Sequence, residues 1–108
     1  MNYLAHLFLS PSHPEQMVGN LMGDFVKGQQ LSAYSEAIQF GIHLHRAIDK
    51  FTDNHEVVSA LKQELSPTRK RFSGIISDVV FDHFLAKHWE QYNDVTLIDF
   101  AQQSYKVL

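Results

Sequence analysis

Apolar residues recur along this chain at three- and four-residue steps, and no stretch alternates apolar with polar for the length of a strand. That period belongs to helices buried along one face, so the pattern predicts an all-α fold, a single bundle of about six helices spanning residues 1–108. A short first helix ends where Pro11 and Pro14 interrupt it. Ser10 or Ser12 is placed to cap a second helix over residues 15–26, with Pro14 in its first turn and Gly28 after its end. A third helix spans residues 35–51 and stops at Thr52-Asp53-Asn54. A fourth covers residues 56–65, and Ser66-Pro67 separates it from the longest, residues 67–89. Asn93-Asp94 reads as a turn, and Thr96 as the cap of a last helix over residues 97–108.

Two helices carry ionisable residues where only apolar ones belong. At ~100° per residue, Ile38, Ile42, His45, Ile48 and Asp49 form one stripe of the third helix, while His43 and Arg46 point to its polar side. On the long helix Phe72, Ile76, Val79, Val80 and His83 share a stripe, with Asp78 and Asp82 along the Ile75 edge. His6 sits in a first helix that is apolar all round, and Asp24 lies beside Leu21 and Met17. Each has an ordinary explanation. A lone inward histidine is usually a hydrogen-bonded core residue, Asp49 can pair with Arg46 or Lys50, and Asp78 and Asp82 can face water beside Arg71. His13, His55 and His88 read as surface residues. Taken together, His6, His45, His83, Asp24, Asp49 and Asp78 would each need a separate partner, and one metal ion inside the bundle satisfies them at once. No HExxH zinc motif or EF-hand loop is present, so spacing alone is weakly specific.

Composition narrows the chemistry. The chain has no cysteine, which excludes disulfides, thiolate zinc sites and thiol nucleophiles, and leaves imidazole and carboxylate as metal ligands. Seven histidines supply the raw material. A net charge of −3 argues against nucleic acid as partner. No apolar run approaches the ~20 residues of a membrane span, and the first ten residues lack the positive start and cleavage site of a signal peptide, so a cytoplasmic protein is expected. The basic run Arg69-Lys70-Arg71 opens the long helix, where it opposes the helix dipole; it reads either as a solvated helix start or as a steering patch for an acidic partner. The last helix is still amphipathic at Leu108, which suggests a missing carboxy-terminal segment and, through Phe100, Tyr105 and Leu108, self-association.

Several blocks carry a resemblance. Met1-Asn2-Tyr3-Leu4-Ala5-His6-Leu7, Gly19-Asn20-Leu21-Met22-Gly23-Asp24-Phe25-Val26-Lys27-Gly28, Gly41-Ile42-His43-Leu44-His45-Arg46-Ala47-Ile48-Asp49, Thr52-Asp53 and Asp82-His83-Phe84-Leu85-Ala86 resemble, in order, the acyl carrier protein phosphodiesterase family. That family is regarded as an atypical branch of the helical HD-type metal phosphohydrolases. The resemblance implies hydrolysis of the phosphodiester between 4'-phosphopantetheine and the serine of holo-acyl carrier protein, with manganese as cofactor; imidazole and carboxylate ligands also suit magnesium, iron(II) or zinc. The order Asp82-His83 reverses the HD pair, so ligand roles do not transfer one to one. The expected metal set is His45, Asp49, Asp78 and His83 with His6 and Asp24 beside them, and Asp24 or Asp82 is the expected general base. A metal phosphohydrolase acting on a nucleotide or small phosphodiester is the nearer alternative, and a non-catalytic helical binding module the farther one.

Overall fold

Two glycines decide how closely the central helices approach. The structure, a computed structural model, describes residues 1–65 and 67–107. α1 (Tyr3–Leu9) leads into α2 (Pro14–Met22), and α3 (Glu36–Asp53) crosses α2 in the most extensive helix pairing of the fold. At the crossing, Gly19 meets Gly41. A Cβ on Gly19 would run into the carbonyl oxygen of Ile38, and one on Gly41 into that of Gln16. Main chain therefore packs on main chain, which only glycine permits here.

Local sequence starts these helices as expected. Pro14 occupies the first turn of α2, Ser35 Oγ accepts from Ile38 N–H to cap α3, and Thr96 Oγ1 accepts from Asp99 N–H at the start of α7 (Leu97–Val107). The cap of α2 is His13, through Nδ1, rather than Ser10 or Ser12. Ser10 turns back to donate to the His6 carbonyl. α2 also ends earlier than its sequence suggests. At Met22 the chain tightens into a 3-10 turn, Gly23–Phe25, because Gly23 packs directly against the His45 ring. Gly28, at φ +82, reverses the loop that follows.

α4 (Glu56–Glu64) is capped by His55 Nδ1. The long helix expected over residues 67–89 divides into α5 (Pro67–Lys70), α6 (Ser73–Lys87) and a 3-10 turn, Trp89–Gln91. Phe72, at φ −108 and ψ 18, leaves helical geometry, and Ser73 and Gly74 are weak helix formers that give it no reason to return. Ser66, proposed as a stop, and Leu108 lie outside the described residues.

α6 faces differently from its expected stripe. Phe72 and Val79 are more than half exposed and His83 is exposed, whereas Ser77 is buried. The helix carries apolar residues on every side, so hydrophobicity alone gives its rotation no phase.

Trp89 ties the far end together: its indole N–H donates to the Val95 carbonyl at 2.8 Å, and its ring packs on Phe8 and Phe100. Phe100 is thus half-buried, while Tyr105 on the same helix is 77% exposed. Ala5, Leu31, Ile42, Val58 and Trp89 are the buried apolar residues among those described. The molecule is a plate, 42 × 36 × 19 Å. Its radius of gyration of 15.0 Å exceeds the ~13 Å typical of a compact domain this long.

Gly19→Ala should destabilise the chain by about 1–3 kcal/mol through overpacking, whereas Gly74→Ala, with open space at the Cβ position, should stabilise it by about 0.4–1 kcal/mol. Urea unfolding followed by circular dichroism checks both directions.

Candidate metal centre

The glycine crossing delivers two imidazoles to one place. His6, from α1, and His45, from α3, are 1% and 3% exposed. Their rings stack at 3.9 Å with 9° between planes. Gly23 makes the room, since any Cβ there would overlap the His45 ring. Asp49 follows His45 by one helical turn, so its carboxylate lies beside the stack. Asp49 Oδ1 is 3.2 Å from His6 Nε2, and Oδ2 is 3.2 Å from His45 Nε2. One ligand atom from each of His6, His45 and Asp49 lies within 4.8 Å of the others, a donor set of the composition that holds divalent transition metals.

Two more carboxylates border the set. Asp24, in the 3-10 turn after α2, reaches His45 Nε2 with Oδ1 at 3.0 Å and is otherwise open to solvent. Asp78, on α6, meets the amino group of Met1 at 3.1 Å, and the same amino group lies 2.8 Å from Asp49 Oδ1. The two ionisable ends respond oppositely. Burial lowers the affinity of the Met1 amine for its proton, but hydrogen bonds to Asp49 and Asp78 outweigh it and leave its pKa raised. Burial pushes the His6 pKa down, the neighbouring His45 charge adds to this, and Asp49 only partly offsets them.

The structure therefore brings together His6, His45 and Asp49, with Asp24 touching His45 and Asp78 linked through Met1. It does not bring in the other two. Asp82 accepts the main-chain N–H groups of Leu4 and Ala5 at 3.0 and 3.1 Å. It serves the amino end of α1, whose own cap residue Asn2 makes no side-chain capping bond. Two N–H donors on its oxygens leave it poorly placed to act as a base. His83 stands on the exposed side of α6 with its ring against Phe84, ~200° around the helix from Phe81. Arg69, Lys70 and Arg71 are exposed, and the Arg71 guanidinium sits 5.5 Å from the centre of the Phe72 ring. Asn20 was not among the expected site residues, yet it is fully buried and bonded to both histidines. The available signal was its position: a poor helix former inside α2, directly after a packing glycine.

Fold and site together define an all-α protein with a His/His/Asp cluster able to hold a metal ion. A family model described as acyl carrier protein phosphodiesterase matches residues 1–108, and the chain belongs to that family. It is 43% identical over 105 residues to an acyl carrier protein phosphodiesterase of Serratia proteamaculans, covering 96% of this chain and 54% of the relative. A protein of the same name from Pectobacterium atrosepticum is 44% identical over 91 residues, 84% of this chain and 47% of the relative. One from Yersinia pestis is 41% identical over 105 residues, 96% and 54%. The chain thus spans about half the length of the curated relatives it matches. No solved structure matches it.

The His6 shift fixes a pH dependence. Folded His6 holds a proton less readily than unfolded His6, so below the ordinary value of 6.5 the unfolded chain binds more protons. Its contribution to stability is intact above 6.5 and is lost as pH falls from there through the lowered folded value. Metal-free protein should therefore unfold at lower urea at about pH 5.5 than at about pH 7.5, and His6→Asn should flatten that difference.

Proposed function

We propose that this chain carries the metal centre of a phosphodiesterase that removes 4'-phosphopantetheine from holo-acyl carrier protein. The observation that supports this most is the convergence of His6, His45 and Asp49 in a chain matched along its length to the acyl carrier protein phosphodiesterase family. Imidazole and carboxylate donors suit manganese, iron(II), magnesium or zinc, and the family resemblance favours manganese among them. A divalent ion held there would supply Lewis acidity toward the charged phosphodiester and the attacking water.

The side chains divide the remaining work. His6 and His45 offer imidazole nitrogens from opposite helices, and Asp49 spans both. Asp24 is the better base: it touches His45 with one oxygen and keeps solvent access, so it can take a proton from an incoming water. Asp78 holds the Met1 amine against Asp49, which adds positive charge at the edge of the centre. Arg69, Lys70 and Arg71, exposed in one run, steer an acidic carrier domain by long-range attraction. Such a substrate implies a cytoplasmic enzyme. Ile98 and Tyr105, 71% and 77% exposed on α7, are the contacts for self-association, which sedimentation at micromolar concentration reads directly.

Mass spectrometry of holo-acyl carrier protein incubated with this chain and manganese should show loss of the phosphopantetheine group. Transfer of activity to nucleotides instead would replace the proposed substrate. His45→Ala should abolish both manganese binding and cleavage. His43→Ala, on the exposed side of α3, should retain binding and most of the rate. Equal loss from both variants would mean that His43 contacts the substrate or that the face assignment of α3 fails.

A further inference from the structure

We infer that Asn20 is a positioning residue that presets the tautomer of both histidines, its side chain acting on His6 and its main chain on His45. The inference rests on the proposed metal centre, because what it presets is the pair of nitrogens offered to the ion.

The assignment follows from which atoms can only accept. The Asn20 side chain faces three groups: the His6 carbonyl at 3.0 Å, Ser10 Oγ at 2.6 Å and His6 Nδ1 at 2.9 Å. A carbonyl has no proton to give. The amide atom facing it must be the NH2 group, whose second hydrogen goes to Ser10 Oγ. Ser10 in turn spends its own hydroxyl proton on the same His6 carbonyl at 2.7 Å. A flipped amide would set oxygen against carbonyl oxygen, so the orientation is forced. The Asn20 oxygen then faces His6 Nδ1, and that nitrogen must carry a hydrogen.

His45 is set by the same residue through a different atom. Its Nδ1 lies 2.6 Å from the main-chain carbonyl of Asn20, another pure acceptor, so it too carries the hydrogen. In the neutral rings both Nε2 atoms are therefore bare. Both are directed at carboxylate oxygens: His6 Nε2 at Asp49, and His45 Nε2 at Asp49 and Asp24. Lone pairs face lone pairs across 3.0–3.2 Å, an arrangement that a shared cation resolves. Asn20 is 0% exposed, so no solvent competes for these bonds.

The test uses the whole chain in two states. With metal removed by chelator, long-range proton–nitrogen NMR of labelled protein should show hydrogen on Nδ1 of both His6 and His45. In Asn20→Ala the His6 preference should be lost while His45 keeps its own, since the main-chain carbonyl remains. Calorimetric titration with manganese should show affinity falling about 10–100-fold in Asn20→Ala, the range for loss of a ligand-orienting group. Hydrogen on Nε2 of either histidine in the wild type overturns the inference, as does an Asn20→Ala protein with unchanged His6 tautomer and affinity. If Asn20→Ala fails to fold, the wild-type tautomers decide alone: hydrogen on Nε2 of either neutral ring still overturns the inference. A wild type that shows both preset tautomers but binds no manganese upholds the positioning role and removes the metal centre instead.

Discussion

The close approach of α2 and α3 at Gly19 and Gly41 is the constraint on which the rest of the structure depends. Each helix carries its next contact one turn further on. Beyond Gly19 comes Gly23, and beyond Gly41 comes His45, so the second level pairs a glycine with an imidazole. The spacing that lets two main chains touch at the first level leaves a ring's thickness at the second. Asn20, directly after Gly19, is thereby held with its carbonyl 2.6 Å from His45. A methyl group at the crossing would push the helices apart and lengthen that bond. Packing and chemistry in this fold are thus set by the same two residues.

The electrostatics of the centre form a second constraint. Two imidazoles and the Asp24 and Asp49 carboxylates converge, with Asp78 joined through Met1, yet among the described residues the Met1 amine is the one fixed cation bonded to them. Protonating one histidine would ease the contact with Asp49. Protonating both would stack like charges at 3.9 Å in a buried place, and the lowered His6 pKa reflects that cost. The chain therefore holds an excess of acceptors that protons do not comfortably fill. Among the described residues no buried side-chain polar atom is left without a partner. The excess is one of charge and lone pairs rather than of missing contacts.

How much of this the sequence revealed depended on how strongly each helix encodes its rotation. α3 separates apolar from polar residues clearly at helical spacing, so His45 and Asp49 could be assigned inward and His43 outward from spacing alone, which is where the structure has them. α1 is short and apolar all round, and burial of His6 was legible for that reason. α6 is apolar all round but half uncovered, and there the same logic misled. Of the stripe through His83, Phe72, Val79 and His83 face out while Ile76 and Val80 stay half-buried, because tertiary contacts rather than the pattern chose the face. Asp82 looked like chemistry and is a helix-end acceptor for α1, a role that depends on a neighbour ~78 residues away and has no local signature. Asn20 was invisible for a related reason: its importance lies in bonds to residues 14 and 25 positions distant.

α1 gives the arrangement its cooperative character. Seven residues are too few to hold a helix in water without tertiary support. Its amino end is satisfied by Asp82 from α6, its middle by the His6–Asn20 bond and the stack on His45, and its far end by Phe8 against Trp89. His6 is therefore in place only when α2, α3 and α6 are already assembled around it. A ligand that joins His6 to His45 and Asp49 fastens the first turns of the chain to its centre. Folding and occupation of the site then favour one another, because whatever binds the assembled cluster and not the open chain must stabilise the assembly by the same free energy.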